Sequence, residues 1–225
     1  MLSQLYGNPV LKKVVTGVTG IFLTLFVLVH MTGNLAFFSS EAAYNAYSHF
    51  LTQELGALFY VIEIGLVAVF AFHATMGVSI WLGKRRARPQ DYAAYRTAGG
   101  ASRQSLASRS MILTGILLLA FTVFHLVTFK YGTYYEITLD DGTVVRDIAR
   151  LVREQFENPV YAFGYPAMML LLALHLRHGV WSALQSLGLV RPGSSAAIYL
   201  VGGLLGLLIG VGFLLLPIAI FFEWA

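Results

Sequence analysis

The sequence predicts an all-α membrane protein with five transmembrane helices. Three observations carry that prediction. Of 225 residues, 57% are hydrophobic and 12% charged, with a mean hydropathy of +0.71, whereas a soluble domain carries about 25% charged residues. Five apolar runs reach the roughly 20 residues a helix needs to cross a bilayer. Lys and Arg gather beside alternate ends of those runs. The chain has no cysteine, which excludes disulfides and thiolate ligation of iron by this chain.

The spans are read at about 14–38, 56–83, 108–130, 160–187 and 196–222. Together they make residues 1–225 one integral membrane domain. Backbone groups in lipid must bond within their own segment, so the spans are helices. No cleavable signal peptide is expected, because the first run is too long and lacks a small-residue cleavage site.

Charge sets the orientation. Lys12, Lys13, Lys84, Arg85, Arg86, Arg88, Arg96, Arg103, Arg109 and Arg191 fall on one side. The opposite loops are mostly acidic. The basic side should be cytoplasmic, with the N-terminus in and the C-terminus out. Topology therefore explains the net charge of +4 better than nucleic-acid binding does.

Two connections carry their own signals. The outer insertion 131–158 alternates around Asp141-Gly142, which predicts a β-hairpin. Asp147 is then the expected N-cap of a short amphipathic helix ending before Asn158-Pro159. The segment AYNAYSHFL, with His49, reads as an outer loop. The basic stretch 84–107 reads either as a solvated loop or as a docking surface for a peripheral partner.

Ionisable groups inside a bilayer are costly and mark function. Four histidines sit in separate apolar runs and form two matched pairs. TGIFLTLFVLVH ends at His30 and TGILLLAFTVFH at His125, with six of twelve positions identical. His73 and His175 share His-x-x-x-Gly-Val. Depth gives the same pairs. His30 and His125 come late in outward-going spans, and His73 and His175 past the middle of inward-going ones. The two levels differ by roughly 10–15 Å at 1.5 Å per residue.

Histidines from facing helices can grip a haem iron from both sides, and bundle interiors hold such cofactors. The expected sites are therefore His30 with His125, and His73 with His175, between helices. Gly77 and Gly179, one turn beyond their histidines, would leave room for a flat macrocycle. Gly20 and Gly115 would do the same or allow close helix packing. A zinc site would want more ligands at one level. A proton-relay carrier is the other use of buried His and Glu.

Other residues have weaker claims. His178 stands as an alternative to His175, although the His-x-x-x-Gly match favours His175. Met168 and Met169 read as packing. Glu63 is the carboxylate well inside a span, either a hydrogen-bonded structural acid or a proton acceptor beside a quinone. Arg177 needs an anionic partner, such as a haem propionate, or a snorkelling route. Arg109, Lys13 and Thr16 have similar claims at the inner rim.

With five spans, histidines at these positions and the run HLRHGVWSALQSLG, the chain resembles the single-chain, two-haem cytochrome b anchor of succinate:quinone oxidoreductase and quinol:fumarate reductase (complex II). The resemblance implies a bundle of the first four helices around two haem b groups, with His30 and His125 on the distal one and His73 and His175 on the proximal one. It implies a flavoprotein subunit with covalent FAD and an iron–sulfur subunit on the cytoplasmic face. It implies a quinone, menaquinone in such anchors, near the distal haem, where Glu63 and His49 are the candidates. The setting implied is the inner (plasma) membrane of a bacterium, with lipid around the complex and a higher oligomer open. Ala173 departs from fumarate-reducing members that carry glutamate two residues before the fourth-span ligand. That tilts the expectation toward succinate oxidation.

Overall fold

The computed structural model describes residues 7–87, 106–191 and 193–224. Most of the basic stretch 84–107 lies outside them. Five helices are long and apolar enough to cross a membrane. Large apolar side chains such as Val61, Ile64 and Leu204 stay exposed along them, as expected of a multi-pass membrane protein whose outer faces meet lipid.

Helix α1 (Pro9–Asn34) begins where the Asn8 side chain accepts from Val10 N at 2.9 Å and Leu11 N at 3.2 Å. Proline at the first helical position costs no hydrogen bond. A 3-10 turn, Leu35–Phe38, extends it. The segment expected as a loop is instead a helix, α2 (Glu41–His49), because Ser40 accepts from Ala43 N at 3.0 Å and so caps it. A π turn, Phe50–Glu54, leads into α3 (Ala57–Ala87). After the short α4 (Leu106–Arg109), α5 (Met111–His125) also ends in a π turn, Leu126–Lys130.

The insertion then folds as a unit. β1 (Glu136–Thr138) and β2 (Val144–Arg146) pair antiparallel, with Ile137 opposite Val145. Gly142 takes φ +85° at the turn, a conformation natural to glycine. Asp147 accepts from Arg150 N at 3.1 Å and starts α6 (Ile148–Phe156). The Arg146 guanidinium donates to the carbonyls of Phe129 at 3.0 Å and Lys130 at 3.2 Å. These are the orphan acceptors at the end of the third span.

Helix α7 (Pro159–Ser186) follows, capped by Asn158, and then α8 (Ser195–Phe221). Gly202, Gly206 and Gly210 on α8 face the α7 backbone. A Cβ at Gly206 would stand 2.8 Å from the Ala173 carbonyl oxygen, so small residues set this close seam.

Contacts arrange α1, α3, α5 and α7 in a ring, with α8 outside against α7 and α1. Neighbours in the ring are α1–α3, α3–α5, α5–α7 and α7–α1. Hence α1 faces α5 across the middle, and α3 faces α7. The hairpin and α6 lie at one end of this ring, the hairpin end. Lys12, Lys13 and Lys84 to Arg86 lie at the other, the basic end.

Candidate cofactor sites

The two histidine pairs meet across the two diagonals of the ring. The His30 and His125 ring centres are 5.7 Å apart, with the planes 85° to each other. Those of His73 and His175 are 6.4 Å apart at 66°. With metal–nitrogen bonds of about 2 Å and about 1.1 Å from each nitrogen to its ring centre, two imidazoles on opposite sides of one metal have centres about 6.2 Å apart. Both pairs fit that spacing.

The levels are also separate. A Cβ at Gly20 would stand 3.0 Å from His73 Cε1, and one at Gly115 3.5 Å from His175 Cε1. Gly20 precedes His30 by ten residues, as Gly115 precedes His125. At 1.5 Å per residue the pairs are therefore about 15 Å apart along the helices. The glycines let the imidazoles of the neighbouring helices approach. A Cβ at Gly77 or Gly179 would meet nothing within 4 Å.

The hydrogen bonds favour ligation through Nε2. His73 Nδ1 lies 3.2 Å from the Thr16 carbonyl, which can only accept. The proton is therefore on Nδ1, and Nε2 keeps its lone pair. Thr19 Oγ1 also lies 3.2 Å from His73 Nδ1. Thr114 Oγ1 lies 3.0 Å from His175 Nδ1. The Thr114 hydroxyl can donate to the Ser110 carbonyl at 3.0 Å, which leaves its oxygen able to accept from a proton on His175 Nδ1. Metal-binding histidines characteristically donate their other ring N–H in this way.

The hairpin-end pair is held differently. Asn34 Nδ2 donates to the His30 carbonyl at 2.8 Å and makes a long 3.5 Å contact with His30 Nε2. Among the described residues His125 Nδ1 is buried without a hydrogen-bond partner. Phe129, Phe121 and Tyr165 surround the His125 ring, with centres 5.3, 6.0 and 6.1 Å away.

His178 takes no part in either pair. Its ring lies 5.8 Å from Trp181, and its Nδ1 is buried without a partner. Met169 is buried, with its carbonyl toward Gly210 of the α7–α8 seam. Arg177 is exposed, with its side chain beside Gly203 of α8, about 200° round the helix from His175. Arg109 is exposed on α4 at the basic end.

Glu63 forms an ion pair with Lys130, at the end of the third span, with side chains 29% and 32% exposed. Lys130 Nζ also lies 5.9 Å from the Phe59 ring centre and 5.5 Å from that of Tyr131. His49 ends α2. In the hairpin turn the Asp141 carboxyl is held below its ordinary range chiefly by the Thr143 backbone N–H.

Sequence reasoning missed Thr19, Thr114 and Lys130 as site residues. The two threonines open the matched twelve-residue runs, so the repeat itself was their signal. Lys130 only closes the third apolar run, and nothing local to it points to Glu63. Among the described residues no group of three or more His, Cys, Asp or Glu converges as a metal cluster.

No protein-family model matches the chain, and no curated protein or solved structure matches it.

Proposed function

We propose that this chain is a two-haem cytochrome b anchor of a complex II type enzyme, passing electrons between an iron–sulfur/flavoprotein pair and a membrane quinone. The carrying observation is the pair of diagonal imidazole contacts at two heights in one ring of helices. Two protein ligands per site suit a macrocycle that supplies the remaining donors itself. They fall short of the usual zinc set. When bound, haem b supplies one-electron transfer at each level.

The chain's own residues supply the rest. Thr16, Thr19 and Thr114 hold His73 and His175 with Nε2 free to ligate. In a bilayer the apolar spans would keep bulk water from both pairs. The Glu63 carboxylate, beside the Lys130 ammonium, takes or gives the proton that quinone chemistry requires. His49 is the further candidate at that end. Menaquinone is the proposed quinone, and the setting a bacterial plasma membrane with the N-terminus in the cytoplasm. The flavoprotein with FAD and the iron–sulfur protein dock at the basic end, and dicarboxylate chemistry belongs to them. Ala173, packed in the α7–α8 seam, carries no proton, which favours succinate oxidation as the working direction.

The test is purification in mild detergent from cells expressing the chain with its native neighbours. A coloured complex should elute with a flavoprotein holding covalent FAD and an iron–sulfur protein. It should reduce a menaquinone analogue with succinate. A colourless chain that elutes alone and leaves succinate untouched contradicts the proposal.

A further inference from the structure

The insertion 131–158 lies beyond anything the electron path requires, yet it is built into the hairpin end. The Asn45 side chain, 1% exposed, donates to Asp147 Oδ1 at 2.8 Å and accepts from Ala149 N at 2.9 Å. It thereby clamps α2 to the first turn of α6. Removing such a buried partner would leave polar groups unsatisfied. Arg153 adds an ion pair to Glu41. The α6 face formed by Ala149, Val152 and Phe156 is buried in one cluster with Phe37, Tyr44 and Tyr165.

Two lines of contact run from this roof to the hairpin-end histidines. The first is a hydrogen-bond line. The Tyr44 hydroxyl donates to Asn34 Oδ1 at 3.0 Å, and the Asn34 amide meets the His30 carbonyl and Nε2. Burial, with Tyr47 nearby, pushes the Tyr44 hydroxyl up to about 12, so it stays a donor at physiological pH. The second line is aromatic. Phe156 of α6 stands 5.7 Å from Phe129 and 5.2 Å from Tyr165, ring centre to ring centre. Both of those rings pack on His125.

Among the described residues the other pair has no such connection. His73 and His175 take their hydrogen bonds from Thr16, Thr19 and Thr114, all within spans. We infer that α2, the hairpin and α6 form a roof that positions and encloses the His30–His125 pair alone, with Tyr44 and Phe156 as its positioning residues. The metal environment there is tuned from outside the bundle, whereas the His73–His175 environment is fixed from within it. The tuning half of this inference rests on the two-haem reading; the enclosure half does not.

The experiment uses the full chain in its complex, with Tyr44→Phe and Phe156→Leu as mild variants and Thr114→Val as the converse control. In the haem-loaded protein, a potentiometric titration followed by absorbance resolves the two haem potentials. Tyr44→Phe and Phe156→Leu should shift one potential and leave the other unchanged, and Thr114→Val should shift the other. Unchanged potentials, or equal shifts in both, overturn the inference while haem content upholds the two-haem reading. In a protein that carries no haem, histidine carbethoxylation mapped by mass spectrometry replaces the titration. His30 and His125 should then label several-fold faster in the two roof variants, with His73 and His175 unaffected. Equal labelling of all four overturns the inference. The absence of haem counts separately, against the proposed function.

Discussion

Thr114 Oγ1 stands 3.0 Å from His175 Nδ1 and, among the described residues, is the one hydrogen-bond partner of that ring. His73 has two acceptors, Thr19 Oγ1 and the Thr16 carbonyl, each at 3.2 Å. The supports are therefore unequal, although the two runs that supply them are similar in sequence.

Thr114→Val keeps the shape of the side chain and removes the acceptor. It should weaken ligation at the basic-end pair by about 10–100-fold, the usual effect of losing such a partner. Thr19→Val should do much less, because Thr16 still accepts through its backbone. Haem retention during graded denaturation of the two variants measures the difference. Equal losses would contradict the unequal supports, and no loss in either variant would show that the hydroxyls do not orient the rings.

Glu63 and Lys130 are each about one-third exposed. Breaking the pair should cost between the about 1 kcal/mol of exposed pairs and the about 3 kcal/mol of buried ones. A double-mutant cycle with Glu63→Gln and Lys130→Met should show that coupling in thermal unfolding. Glu63→Gln should also slow quinone turnover while leaving haem content intact. Unchanged turnover removes Glu63 from the proton path.

Gly206 and Gly203 are near neighbours on α8 with different surroundings. A Cβ at Gly206 meets the Ala173 carbonyl at 2.8 Å, whereas one at Gly203 meets only Arg177 Cγ, at 4.0 Å. Gly206→Val should destabilise the α7–α8 seam by about 1–3 kcal/mol, as overpacking does. Gly203→Val should be close to neutral. Thermal unfolding in detergent compares them directly.

The hairpin has a pH window. The Tyr135 hydroxyl donates to Glu154 Oε2 at 2.7 Å, and Arg150 donates to Oε1 at 2.9 Å. Arg150 first and Tyr135 second hold the Glu154 carboxyl below its ordinary 4.5. The bond to Glu154 raises Tyr135 above its ordinary 10.0. The Glu154 contribution is present above 4.5 and lost as pH falls through its lowered value. The Tyr135 contribution is present below 10.0 and lost as pH rises through its raised value. Amide exchange in α6 should therefore be slowest relative to the intrinsic rate between these limits. Tyr135→Phe should remove the alkaline limb.

Much of this architecture is legible in the sequence because its causes are local. Apolar runs specify spans, Asp141-Gly142 specifies a turn, and Asp147 specifies a helix start. The span ends differ by a few residues. Helices continue past Lys12, Lys13 and Lys84 to Arg86, since a helix need not stop where lipid does. Reading AYNAYSHFL as a loop overlooked Ser40 as an N-cap. The histidine pairing is legible only because the two runs resemble each other and depth can be counted along a helix. What stays hidden is contact between distant segments. Asn45 and Asp147 are far apart in the chain, as are Glu63 and Lys130, and nothing local to either residue announces its partner. Arg177 shows the same limit from the other side, since its charge suggested a ligand contact while helix phase turns it toward α8.

The central claim is that each diagonal imidazole pair holds one haem b. The most direct measurement is haem per chain by pyridine haemochrome, in the parent protein and in four single variants. The expected result is two haems per chain. His30→Leu and His125→Leu should lose one and the same haem, and His73→Leu and His175→Leu the other, as resolved by redox titration. A colourless parent after cofactor-replete expression would contradict the account, as would loss of the second haem on replacing His178 but not His175.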